Sequence, residues 1–142
     1  MNKLRTPDLV GRWPAPGERI RREKRFVRVK PDERLCLIHG KKNHILFSMF
    51  VSNDVIHAGE MMLPAGAVSD PEVHKGDEGI YVTKGILTVL VSEQASKKKL
   101  ELKKSFEIRE NQAMLIPEGV AHRYFNFTSS PVSVFFTVAP SL

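Results

Sequence analysis

From residue 26 onward, apolar and polar residues alternate in short runs that turn signals interrupt. Side chains two apart in an extended chain share a face, so this period predicts strands with one face buried. The runs place strands at 26–30, 35–38, 44–51, 55–63, 79–83, 86–92, 100–103, 105–108, 113–116, 120–127 and 132–138. Between them lie Pro31-Asp32, His39-Gly40-Lys41-Lys42-Asn43, Ser52-Asn53-Asp54 and Pro117-Glu118-Gly119, all rich in turn-forming residues. Turns recur about every eight to twelve residues and no helical period is evident, which predicts an all-β sandwich or barrel.

Residues 1–25 lack this pattern and read as an irregular arm. Trp13-Pro14-Ala15-Pro16-Gly17 prevents a continuous helix there, because each proline lacks an N–H donor and restricts the residue before it. Thr6-Pro7-Asp8 is expected to form one short turn, and Trp13 to pack on the body or on a partner subunit, or else to line a ligand site. With 142 residues and no repeat or linker, residues 26–142 are expected to form one domain.

Composition narrows the function classes. The chain is 42% hydrophobic and has no apolar run long enough for a membrane helix, and Lys3 and Arg5 are not followed by the apolar segment of a secretory signal. The single cysteine, Cys36, excludes an internal disulfide; within Leu35-Cys36-Leu37-Ile38 it is expected to be a buried, inert thiol. A cytoplasmic location, with no membrane partner, is the resulting expectation. The net charge of +6 comes mostly from residues 21–30 and from Lys97, Lys98, Lys99, Lys103 and Lys104. No helix-turn-helix, zinc-finger or aromatic stacking pattern accompanies these clusters, so they read as solvated edges and a hairpin tip, with no nucleic acid partner.

Candidate chemistry concentrates in residues 66–85. Glu72 and His74 are two apart and project together if extended, Lys75-Gly76-Asp77 is a turn, and Glu78 returns beside His74 at the start of the next strand. This is a reasonable N/O ligand cluster for a metal ion. Asp77 reads as a turn residue, and Tyr81 should face away from the cluster. Downstream, Pro117-Glu118-Gly119 makes a tight turn, after which His122, Tyr124 and Asn126 share one face. His122 is placed to complete a set of four, and Tyr124 to be a pocket wall or hydrogen-bond donor. His39 is expected in solvent and His57 in the core. Nothing resembles a nucleophilic triad, a phosphate-binding glycine loop or a dinucleotide fingerprint.

These two stretches resemble the motifs of the cupin superfamily. Its first motif is Gly, five residues, His-x-His, three or four residues, Glu, six residues, Gly; here stand Gly66, five residues, Glu72-Val73-His74, three residues, Glu78, six residues, Gly85. Its second is Gly, five residues, Pro-x-Gly, two residues, His, three residues, Asn; here stand Asn111, Pro117-Glu118-Gly119, His122 and Asn126 at the same spacing. The resemblance implies a double-stranded β-helix, or jelly-roll barrel, with a metal near one mouth bound by the residues matching His74, Glu78 and His122. Asn111 replaces a turn glycine, a mild change because Asn tolerates the left-handed conformation. Glu72 replaces the first histidine, a large one.

If Glu72, His74, Glu78 and His122 all bind, two carboxylates and two neutral imidazoles offset the charge of a divalent ion. Such a site is a weaker Lewis acid than one with a single carboxylate, and it favours Fe, Mn, Ni or Zn over copper. If Glu72 instead points to solvent or pairs with a lysine, the site is weak or vestigial. The expected function is a metal-dependent enzyme acting on a small organic molecule inside the barrel, by dioxygenation, isomerisation, decarboxylation or lyase chemistry. The alternatives are a non-catalytic binder of a sugar or small acid, and a structural dimer with a relic site. A homodimer is expected from the resemblance and from the arm, and 25 leading residues are too few for a DNA-binding domain.

Overall fold

The computed structural model describes residues 9–92 and 104–140. Nine strands follow in order: β1 Leu35–His39, β2 Ile45–Ser52, β3 His57–Leu63, β4 Asp77–Lys84, β5 Leu87–Val91, β6 Lys104–Ile108, β7 Ala113–Ile116, β8 His122–Phe125 and β9 Val132–Ala139. They form a six-stranded sheet in the order β1-β2-β3-β9-β4-β7 and a three-stranded sheet in the order β6-β5-β8. All pairings are antiparallel. The two sheets face each other, as a jelly roll requires.

The alternation seen in the sequence sets this packing. In β9, Val132, Val134, Phe136 and Val138 are buried while the residues between them are not. Glu78, Ile80 and Val82 of β4 point inward in the same way, opposite Val138, Phe136 and Val134 of β9. Leu87 and Val89 of β5 meet them from the small sheet, with Met61 and Leu63 of β3 filling the space between. These apolar side chains have almost no exposure, and each contributes roughly 1.5–3 kcal/mol on burial.

The proposed turns take the expected forms. Gly119 adopts φ 76 in the Pro117-Glu118-Gly119 turn, and Asn111 adopts φ 65, the left-handed conformation that the glycine it replaces would take. Tyr81 faces outward, its hydroxyl donating to Asn111 Oδ1 at 2.9 Å.

Three expectations need correction. The arm is not wholly irregular: Gly17–Glu23 forms a helix, α1, started by Pro16 and supported by an Arg19–Glu23 ion pair one turn apart. Arg21 ties α1 to Asp54 at 2.6 Å, a contact invisible to local periodicity. Residues 26–30 alternate but do not form a strand, because none of the strands among the described residues pairs with them; Phe26 is fully exposed. Cys36 is exposed, because Leu35 and Leu37 take the inner face of β1 and turn it outward. The expected turn at Thr6-Pro7-Asp8, the strand at 100–103 and the lysines at 97–99 and 103 lie outside the described residues.

The middle of the arm is built into the barrel. Trp13 exchanges backbone hydrogen bonds with Ser52 at 2.9 and 2.8 Å and packs against the core. Gly11 N donates to Ser52 Oγ at 2.7 Å, and the same hydroxyl lies 2.8 Å from His57 Nδ1. His57 is thus a satisfied core histidine, as expected, and burial holds it below its ordinary pKa.

Candidate metal centre

The four residues expected to form a metal site come from three places in the fold. Glu78 stands on β4 of the large sheet and His122 on β8 of the small one. Glu72 and His74 lie on the chain passing between the sheets. That passage is held against β8: Ser69 N donates to Tyr124 O at 2.8 Å, and Glu72 and His122 exchange backbone hydrogen bonds at 2.9 and 3.0 Å. Residues directly opposite in an antiparallel pair project to the same side, so Glu72 and His122 face the interior together. His74 is fixed through its carbonyl, which accepts from Gly119 N at 2.9 Å. Asp77 points away and accepts from Glu118 N at 2.9 Å, the turn role expected of it.

The side chains converge. His74 Nε2 is 3.2 Å from both Glu72 Oε2 and Glu78 Oε2, and His122 Nε2 is 2.9 Å from Glu78 Oε2. Ligand atoms of Glu72, His74 and His122 lie within 4.8 Å of one another. Burial disfavours charge on Glu72 and Glu78, but the neighbouring imidazoles outweigh it: Glu72 falls to about 2, and Glu78 also stays below the ordinary carboxylate range. Burial likewise opposes charge on His74, yet the two carboxylates raise it to about 9.

The donor chemistry fits a divalent cation. His122 Nδ1 lies 3.0 Å from Val120 O, and a carbonyl only accepts, so Nδ1 carries the proton. In the neutral ring Nε2 then turns its lone pair toward Glu78 Oε2. Both atoms are buried without a hydrogen-bond partner, as is Tyr124 Oη. Buried polar atoms of this kind are rare without a reason. A divalent ion held by Glu72, His74, Glu78 and His122 would relieve the whole cluster at once.

A cavity of about 230 Å³ opens onto this cluster. Glu72, His74, Glu78 and His39 supply its polar wall, and Val10, Leu37, Phe47, Met49, Phe136 and Val138 the rest. His122 and Tyr124 are outside that lining, each 1% exposed. Their rings meet at 5.3 Å between centroids, and burial together with the Glu78 charge pushes the Tyr124 phenol well above its ordinary pKa.

Sequence reasoning missed His39. It is half exposed, but its Nε2 lies 2.5 Å from Glu72 Oε1. The signal was present, since Leu35, Leu37 and His39 fall on one face of β1.

A family model described as a cupin domain matches residues 59–138, more than half of the chain. This chain is a cupin. Among solved structures, the cupin fold recurs in a predicted oxalate decarboxylase from Thermotoga maritima, with TM-score 0.63, 15% identity and coverage of 80% of this chain and 99% of that one. It recurs in an RmlC-like cupin with a double-stranded β-helix from Methanocaldococcus jannaschii (TM-score 0.57, 16% identity, 73% and 89% covered). A protein from Bacillus halodurans is similar over 66% of this chain and 69% of its own, at TM-score 0.58 and 22% identity. No match is found among curated proteins. At these identities the likeness establishes the fold, and the chemistry rests on this cupin's own residues.

Proposed function

We propose that this cupin binds one divalent metal ion, of the Fe, Mn, Ni or Zn class, through Glu72, His74, Glu78 and His122, and acts as an enzyme on a small organic molecule in the adjoining cavity. The observation that carries this reading is the convergence of the buried Glu78 Oε2 and His122 Nε2, 2.9 Å apart, with Glu72 and His74 beside them. When bound, the ion would act as a Lewis acid on a ligand oxygen, moderated by two carboxylates that offset its charge. The chain's own part is to orient and to exclude water. Val120 fixes the His122 tautomer through Nδ1, the backbone pair between Glu72 and His122 fixes their spacing, and the apolar wall shelters the ligand. Homodimerisation is proposed with it; a monomer by light scattering at micromolar concentration would overturn that part.

The test is elemental analysis of protein purified without a tag. About one metal per chain is expected, with loss in His122→Ala and in Glu72→Ala. Substoichiometric metal, unchanged in Glu72→Ala, would overturn the proposal. Loss in His122→Ala alone would reduce the site to three ligands. The apolar, closely bounded cavity also supports a second reading, a binder without turnover, which differs in recovering its ligand chemically unchanged.

A further inference from the structure

The β1–β2 hairpin lies outside both motifs, yet it is fastened to the motif passage at two points. Asp70, two residues before Glu72, accepts from three successive backbone N–H groups of the hairpin turn: Lys41 at 2.6 Å, Lys42 at 3.1 Å and Asn43 at 3.0 Å. It also accepts from Asn43 Nδ2 at 2.9 Å. The turn is tight, with Gly40 at φ 109 and no room for a side chain, since a Cβ there would meet Asn43 O. The second point is the side-chain contact between His39 and Glu72.

The His39 ring is itself fixed. It meets Phe47 edge to face at 5.2 Å, and Phe47 meets Phe136 the same way at 5.2 Å. The two oxygens of Glu72 are thereby divided. Oε1 goes to His39, while Oε2 faces His74 at 3.2 Å. A free glutamate side chain has many rotamers, and holding one oxygen on a fixed donor leaves the other presented in a single direction.

We infer that His39 is the positioning residue of the metal site: it holds Glu72 so that Oε2 serves as a one-oxygen ligand, an arrangement that replacing the first motif histidine by glutamate makes necessary. A histidine at position 72 would be stiffer and need no such partner. A glutamate has one more rotatable bond and two equivalent oxygens. Asp70 holds the hairpin that brings His39 into place. This role rests on the metal reading above.

The test is a cobalt(II) titration of the full chain with His39→Ala, His39→Gln, Glu72→Ala and the His39→Ala/Glu72→Ala double variant. Affinity is read by chelator competition and ligand geometry by the visible cobalt spectrum. His39→Ala should weaken cobalt binding by about 10–100-fold and change the spectrum, and His39→Gln should recover part of both. The double variant should bind no more weakly than Glu72→Ala, because His39 acts through Glu72. The urea midpoint of metal-free His39→Ala should stay near that of the wild type, since the residue is half exposed. Unchanged affinity and spectrum in His39→Ala would overturn the role. So would a double variant weaker by the product of the two single effects, which would make His39 an independent ligand. Failure of the wild-type chain to bind cobalt would instead bring down the metal reading, and this role with it.

Discussion

Residues 66–85 and residues 111–126 both link the two sheets and both contribute to the cluster, yet they use their polar groups differently. The first stretch sends Glu72, His74 and Glu78 toward one point. The second sends His122, with Tyr124 packed behind it, and ties Asn126 chiefly to the backbone. Asn126, 1% exposed, donates to Leu63 O at 3.0 Å, Pro64 O at 3.1 Å and Ser130 O at 2.7 Å, and accepts from Thr128 N and Thr128 Oγ1. One stretch concentrates charge that folding alone would avoid, and the other removes unsatisfied groups that folding cannot tolerate. A change in the first should therefore alter binding at lower cost in stability, and a change in the second the reverse.

The sharpest way to break this comparison is Asn126→Ala. It leaves several buried backbone groups without partners at once, so unfolding in urea should show a loss of about 3 kcal/mol or more. Glu72→Ala should cost less than Asn126→Ala in the metal-free protein, because it removes ion pairs with His39 and His74 but leaves no buried backbone group without a partner. Equal losses would erase the distinction. Next in size, His122→Ala should weaken metal binding more than about a hundredfold, read by chelator competition.

Proton competition sharpens the comparison further. His74 sits near 9 in the metal-free protein and must lose its proton to become a ligand. Apparent metal affinity should rise about tenfold per pH unit toward pH 9, with proton release visible as a buffer-dependent heat in calorimetry. Stability of the metal-free protein should run the other way. The raised His74 stabilises the fold fully below about 6.5, and that contribution is lost as pH climbs through about 9. The lowered Glu72 stabilises it above about 4.5, and that is lost as pH falls through about 2. The metal-free form should therefore melt highest between those limits, at about pH 4.5–6.5. The smallest effect expected is in Glu72→His. It should keep metal affinity within about tenfold of wild type, and adding His39→Ala to it should then change affinity less than about threefold.

Much of the fold was legible because a half-buried strand leaves a period of two, and all nine strands here lie close to where that period put them; the strand expected at 100–103 is outside the described residues. The misreadings share a cause. Residues 26–30 alternate as a strand does, but alternation records a preference for two faces and not the presence of a pairing neighbour. Cys36 was read from an apolar run, when the phase of Leu35 and Leu37 decided its side of β1. α1 is shorter than the window in which a helical period is visible, and its tie to Asp54 spans 33 residues. At the site, motif spacing identified the four converging residues. His39 escaped because it lies outside both motifs and its partner Glu72 stands 33 positions away.

The family match begins at residue 59, whereas Val10, Leu37, His39, Phe47 and Met49 all line the cavity from before it. The segment that marks this chain as a cupin supplies the ligand cluster and only part of the chamber beside it. The segment ahead of it shapes the rest of that chamber, moored by Trp13 and Ser52 at one end and Asp70 at the other. The matched segment thus carries the four converging side chains, while the segment ahead of it carries much of the apolar wall that any molecule in the chamber would touch.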